Sequence, residues 1–410
     1  MLPFLLWIGT LSGQVAFPFI FTESRPRGES TLQIVNAGVK HPVVPGFAAS
    51  ANASVSFDGK RLIFSGKRHP ADVWQIWEIT LAGGAPHRLS SGAGDAIAPF
   101  YLPADKYVYS RRTPEGFEIE VAPLDGSTPP LRLTYGPGDH IVNEVLRDGR
   151  ILFEAPHTGR RDLYTVYSDG SGVETHRCDH SHDRHSGREL ASGDIVFEAG
   201  GRLARFTSAR AVEIGINLPA GQFDGPIAEI ADDDWLVSYR PAKTGPFGLY
   251  RLNPNLEKVL VVDGADARDP VIVRPQTAPK WHPSSLGNRE GGNILCLNVY
   301  TSHLPIPPGA VAQVRVWARS DRDAEIRLGE APVESDGSFF LTVPSERAIR
   351  FELLDRNGKT AAAEKTWFWM RRGEQRVCVG CHAGPERAPD NEVPQILLRT
   401  TDPVKMEFPK

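Results

Sequence analysis

Ser56-Phe57-Asp58-Gly59-Lys60-Arg61-Leu62-Ile63-Phe64-Ser65 reads as a tight turn opening onto an alternating strand. Asp-Gly makes the turn: the aspartate can hydrogen-bond the backbone two residues on, and glycine accepts positive φ. A second strand follows in Gln75-Ile76-Trp77-Glu78-Ile79-Thr80, then Gly83-Gly84 and Arg88-Leu89. The same order returns at 102–110 with 117–121, at 148–153 with 162–167, at 192–197, and at 233–238 with 249–252. The spacing, about 45 residues, is the length of a propeller blade. One such unit cannot bury both faces of its sheet, so the copies must pack side by side around an axis. The expected fold is all-β, with a propeller of about six blades over 30–265. Residues 30–48 are expected to supply a blade or closing strands.

Beyond residue 265 the texture changes. Pro270, Pro275, Pro279 and Pro283 mark a linker at 266–290. From Asn293 alternating runs return at 295–300, 311–318, 338–343, 349–354 and 366–370, with Asp336-Gly337 and Asn357-Gly358 as hairpin turns. A small β-sandwich over 291–410 is expected. The repeat of 50–265 resembles the TolB-like β-propellers, whose blades carry the same turn-strand-turn-strand pattern. That resemblance speaks for fold and says little of chemistry.

After the last strand comes Cys378-Val379-Gly380-Cys381-His382. CxxCH is the attachment run for c-type haem: two thiols add to the vinyl groups and the adjacent imidazole ligates the iron. With only 4 Cys in 410 residues, there is no second CxxC to complete a zinc ribbon, and no βαβ pattern for a thioredoxin-like pair. One covalent haem c is expected, with Cys378 and Cys381 as thioether cysteines and His382 as proximal ligand. Too little chain remains for helices on both sides, so the haem is expected against β-structure, in a crevice between sandwich and propeller. Haem c is attached outside the cytoplasm, so a periplasmic or otherwise extracytoplasmic location follows. The uncharged, apolar stretch 1–21 is expected to be an export signal or N-terminal anchor, with a buried first strand as the alternative. No second apolar span occurs. Charged residues at 23% argue against disorder, and a net charge of −4 without a basic stripe argues against nucleic acid.

A closer resemblance lies in the second domain. Leu328-Gly329-Glu330-Ala331-Pro332-Val333-Glu334-Ser335-Asp336-Gly337-Ser338-Phe339-Phe340, then Val343-Pro344, 351–355 and 373–378, resemble the C-terminal haem domain of hydrazine synthase alpha-subunit-like proteins. In that family a TolB-type propeller also precedes the haem domain. The family further implies a catalytic haem on another CxxCH in a middle domain. This propeller offers only Cys178, so the resemblance implies the architecture and one haem.

Other residues could complete the site. Arg371, Arg372 and Arg376 could neutralise haem propionates, with a solvated strand end as the alternative. Trp367 and Trp369 could cover the porphyrin or fill the sandwich core. Met370 is expected in a strand core and Met406 in an exposed tail, each a weaker axial candidate. His282, at the domain junction, is another. His176, Cys178, His180, His182 and His185 cluster within ten residues, and alternation by two would project the first four to one face. Sulfur with imidazole suits Zn or Cu, one histidine could reach the haem, or the histidines could act as catalytic acid or base. A polar inter-blade loop is the bland alternative. A Cys178–Cys296 disulfide is also open.

Three functions follow. The leading one is a mono-haem electron-transfer cytochrome, its propeller docking a redox partner in the cell envelope. The alternative is a haem or metal enzyme acting on a small nitrogen or oxygen compound. A third is a TolB-like envelope binding module with a structural haem. No GxSxG, HExxH or P-loop run occurs.

Overall fold

The computed structural model describes residues 15–24, 29–177, 182–207, 213–218, 220–263, 266–320, 324–381 and 391–408. His382, Cys178 and His180 therefore lie outside the described residues, as does most of the stretch expected as a leader. Among the described residues the first domain has six antiparallel sheets, the six blades of a propeller. Five are sequential, at 49–88, 96–132, 141–175, 185–215 and 222–262. The remaining blade is a composite: Phe19–Ser24, Ser30–Asn36 and Val39–Pro42 are joined by Asp266–Ile272 on the inner side. Among the described residues the first propeller strand thus starts at Phe19, inside the stretch expected as export signal, and the last runs beyond 265 into the expected linker. Phe19, Ile20 and Phe21 are buried there because they face neighbouring sheets on both sides.

The turn chemistry that organises the repeat is visible at its first copy. The Asp58 carboxylate accepts hydrogen bonds from Ser56 Oγ at 2.6 Å and from the Lys60 amide at 3.1 Å. Gly59 closes the turn at φ +73°. The innermost strands slip register in mid-course, as at Val142/Glu144 and His185/Arg188, and so bend around the axis.

Among the described residues the second domain is a sandwich of two four-stranded sheets. One runs in the order Gln375–Cys378, Gly292–Cys296, Phe339–Val343, Val404–Lys405, and the other Glu325–Pro332, Gln313–Arg319, Ile349–Leu354, Thr360–Ala363. Their inner faces share one core, including Ile294, Val316, Leu341 and Ile349. Met370 and Met406 both lie in that core, so Met406 is not an exposed tail residue: its backbone bonds to Thr342 beside the last short strand.

A cysteine edge facing the propeller

The edge strand Gln375–Cys378 lies parallel to Gly292–Cys296, and Cys378 is the register partner of Cys296. The Leu297 amide donates to the Cys378 carbonyl at 2.9 Å. Cys381 follows in a bend held by Gly380, where a Cβ would run into the carbonyl oxygens of Thr301 and Asn298. The two half-buried thiols pack on the sandwich core beside buried Cys296, and all three sulfurs are free. Burial raises the Cys378 thiol, with Arg376 acting the other way, and pushes Cys381 up to about 12. Cys296 is thus in the sandwich, next to the motif expected to bind haem. Cys178, the other half of the expected disulfide, lies outside the described residues.

The segment before the motif binds the domains together. Arg371 is buried, and its Nη1 donates to Tyr135 Oη at 2.5 Å and to the Arg132 carbonyl at 3.3 Å, and pairs with Glu346 at 3.1 Å. Glu374 accepts from the Arg371 amide at 2.8 Å and from the Gly172 amide of the propeller at 3.1 Å, and pairs with Arg376 at 2.7 Å. Arg371 is thereby committed to the domain interface, Arg376 to Glu374, and Arg372 is exposed. Trp369 is buried in the core of the blades at 96–132 and 141–175, edge-on to His140 at 5.5 Å. His140 in turn meets buried Glu118 at 3.2 Å. Trp367 lies under Arg350, 5.6 Å from the ring centroid. Glu174, on the outer edge of the blade at 141–175, acts electrostatically on Cys378 and pairs with Arg150 at 2.8 Å.

The histidine-rich stretch does not present a common face in the described residues. His176 is packed against Phe206, ring centroids 5.2 Å apart, and burial, aided by Arg150, lowers its imidazole to about 4. His182 meets Glu213 at 3.2 Å, and His185 pairs with Glu198 on the neighbouring strand. Each ring has taken a different partner because the chain enters a blade at His185. Among the described residues no three His, Cys, Asp or Glu side chains are grouped to hold a metal. His282 stacks on Tyr167 at 3.8 Å, pinning the linker to the propeller.

A second constellation was not visible in the repeat. Glu144, Arg188, Glu189, Glu229 and Arg274 line a cavity of roughly 180 Å³ among the inner strands. Burial raises the Glu144 carboxyl to about 7 and lowers the Arg188 guanidinium. The periodic strands gave no sign of it, since inner-strand residues read as ordinary alternation.

Residues 309–383 match the family described as the hydrazine synthase alpha subunit middle domain. The structure superposes on the hydrazine synthase of Kuenenia stuttgartiensis with a TM-score of 0.82 and 17% identity, over 94% of this chain and 72% of that one. The chain is thus similar to the hydrazine synthase alpha subunit over residues 309–383, and to that hydrazine synthase in its fold. TolB from Acinetobacter baumannii is similar at a TM-score of 0.53 and 15% identity, over 64% of this chain and 68% of that one, which supports the propeller. No curated protein matches the chain. Two expectations change with these matches. The matched segment is the family's middle domain, not a C-terminal one. The leading reading, a mono-haem electron-transfer cytochrome, is overturned by the same matches; they support its alternative.

Proposed function

We propose that this chain is the haem-bearing platform of an enzyme acting on a small nitrogen compound, in the manner of a hydrazine synthase alpha subunit. The observation that carries this is the position of the motif. Cys378 to His382 falls inside the segment that matches the family's middle domain, the domain in which the family resemblance implies a catalytic haem. A second CxxCH in the propeller is then unnecessary.

The donor set fits haem c. Two thiols separated by Val379 and Gly380 sit half-buried on a sheet edge, with a glycine letting the bend press against the sandwich. Cys378 and Cys381 would form the thioether links, and His382 would be the proximal ligand. When bound, the haem supplies an iron able to take a small ligand and exchange electrons with it. The chain's own residues set the surroundings. Glu374 and Arg376 form a neutralised pair beside Cys378, and Glu174 with Arg150 brings the propeller edge to the same place. The clasp of Arg371 on Tyr135 and Glu346 holds the two walls in register. We further propose an extracytoplasmic location, since haem c is attached there, and partner subunits, which the word alpha implies. Val377, 61% exposed on the cysteine strand, is an apolar contact available to either porphyrin or partner.

The test is the optical and EPR spectrum of protein matured with haem c, with and without carbon monoxide. A high-spin iron that binds the gas is the expected result. A low-spin iron indifferent to it would mean two protein ligands and would overturn the enzyme reading.

A further inference from the structure

We infer that Cys296 is a redox partner of Cys378, and that a Cys296–Cys378 disulfide in the haem-free chain withholds Cys378 from haem attachment. The inference rests on the proposed haem role of Cys378 for its consequence, though not for the disulfide itself.

The geometry is that of neighbouring strands. Cys296 and Cys378 are register partners in a parallel pair, so their side chains leave the sheet on the same face. Adjacent strands run about 4.8 Å apart, inside the range of about 4.4–6.8 Å between Cα atoms that a disulfide spans. Both sulfurs face the sandwich core. The backbone is tied at the same point by the Leu297 amide on the Cys378 carbonyl, so neither strand is free to drift. Cys296 is only 3% exposed, whereas Cys378 lies at the edge strand. An external oxidant therefore meets Cys378 first. The sequence of bonds is a thiol–disulfide exchange. A thiol oxidoreductase in its disulfide form accepts attack by the Cys378 sulfur, giving a mixed disulfide and one thiol on the oxidoreductase. The Cys296 sulfur then attacks the Cys378 sulfur, forming the internal bond and releasing the oxidoreductase as a dithiol. Two protein thiols are oxidised, one disulfide is reduced, and the two thiol protons pass to the departing sulfurs. Thioether formation at Cys378 needs a free thiol, so the internal bond blocks it until a reductant opens it.

The test uses the full chain made without haem, oxidised with diamide while folded, then unfolded in guanidinium, alkylated and digested without reduction. Peptide mass mapping is expected to find Cys296 joined to Cys378, with Cys381 alkylated. Cys296 recovered fully alkylated, or Cys378 joined only to Cys381, would overturn the inference. Cys381→Ala provides a second reading: the Cys296–Cys378 peptide should persist in it, and should vanish when Cys296→Val is added. When haem is offered to Cys381→Ala made without it, covalent haem staining should fail to appear after diamide and should appear once dithiothreitol has opened the disulfide. Should that variant take no haem even when reduced, the haem reading fails, while the peptide map still decides the disulfide.

Discussion

Single residues in this protein owe their properties to which face of which sheet they occupy. Cys378 and Cys381 are raised thiols because they lean on an apolar core, so in the haem-free chain they should resist alkylation at neutral pH. Replacing both, as Cys378→Ala with Cys381→Ala, is expected to abolish covalent haem. Haem staining that survives denaturing electrophoresis in that variant would rule out attachment here. Glu144 shows the same logic on the propeller axis. Its carboxyl rises from 4.5 to about 7, chiefly through burial, with Arg188 opposing. A carboxyl raised by folding stabilises the fold fully below its unfolded value, and that contribution is lost as pH rises through the folded one. Stability should therefore decline between about pH 5 and about pH 8 by an amount on the order of 3 kcal/mol. Glu144→Gln keeps an acceptor for the Glu189 amide, 2.5 Å away, and should flatten that decline. Denaturant melts across pH would show it, and equal slopes for the two proteins would refute the assignment.

At the scale of elements, the blade turns are the parts with least tolerance. Gly59 sits at φ +73°, and a Cβ there would lie 2.8 Å from Pro275 N and 2.9 Å from Arg274 C. The turn is thus both left-handed and pressed against the chain that closes the propeller. Gly59→Ala should cost about 1–3 kcal/mol; a thermal midpoint equal to wild type would mean that the turn relaxes freely. Such turns are why the propeller was legible: Asp-Gly followed by alternation is a local signal, repeated at a fixed period. The sandwich was legible for the same reason, from Asp336-Gly337 and Asn357-Gly358. The composite blade was less so, because Phe19–Ser24 pairs with Asp266–Ile272 across the whole propeller and an apolar start looks like a leader. In the site, the spacing of Cys378 and Cys381 could be read directly. Their neighbour Cys296 could not, since a register between strands some eighty residues apart leaves no local pattern. The arginines misled in the same way: Arg371 looks like a propionate ligand until Tyr135 and Glu346, far away in sequence, claim it.

The whole molecule is two β-domains that share side chains. Phe368 packs against both the sandwich core and the core of the third and fourth blades along the chain, and Trp369 lies wholly in the latter. Arg371 and Glu374 add polar ties to Tyr135, Arg132 and Gly172 within the same few residues. A junction of this kind couples the unfolding of the two domains, because separating them exposes an indole and strands a buried guanidinium. Trp369→Ala removes the indole from beneath His140 and should cost about 3–5 kcal/mol. The indole comes from the second domain and fills a core of the first, so its loss weakens the junction together with that blade core. The expected calorimetric outcome is therefore a change from one transition to two, rather than one transition at lower temperature. The consequence reaches the cysteines, because the edge of the blade at 141–175 approaches Cys378 only while the domains are docked. In the haem-free Trp369→Ala chain, Cys378 should be alkylated faster than in wild type, whereas Cys296, inside the sandwich core, should not. Equal rates at Cys378 in the two proteins would mean that the propeller does not wall the site, and the domains would then be joined without serving one chemistry.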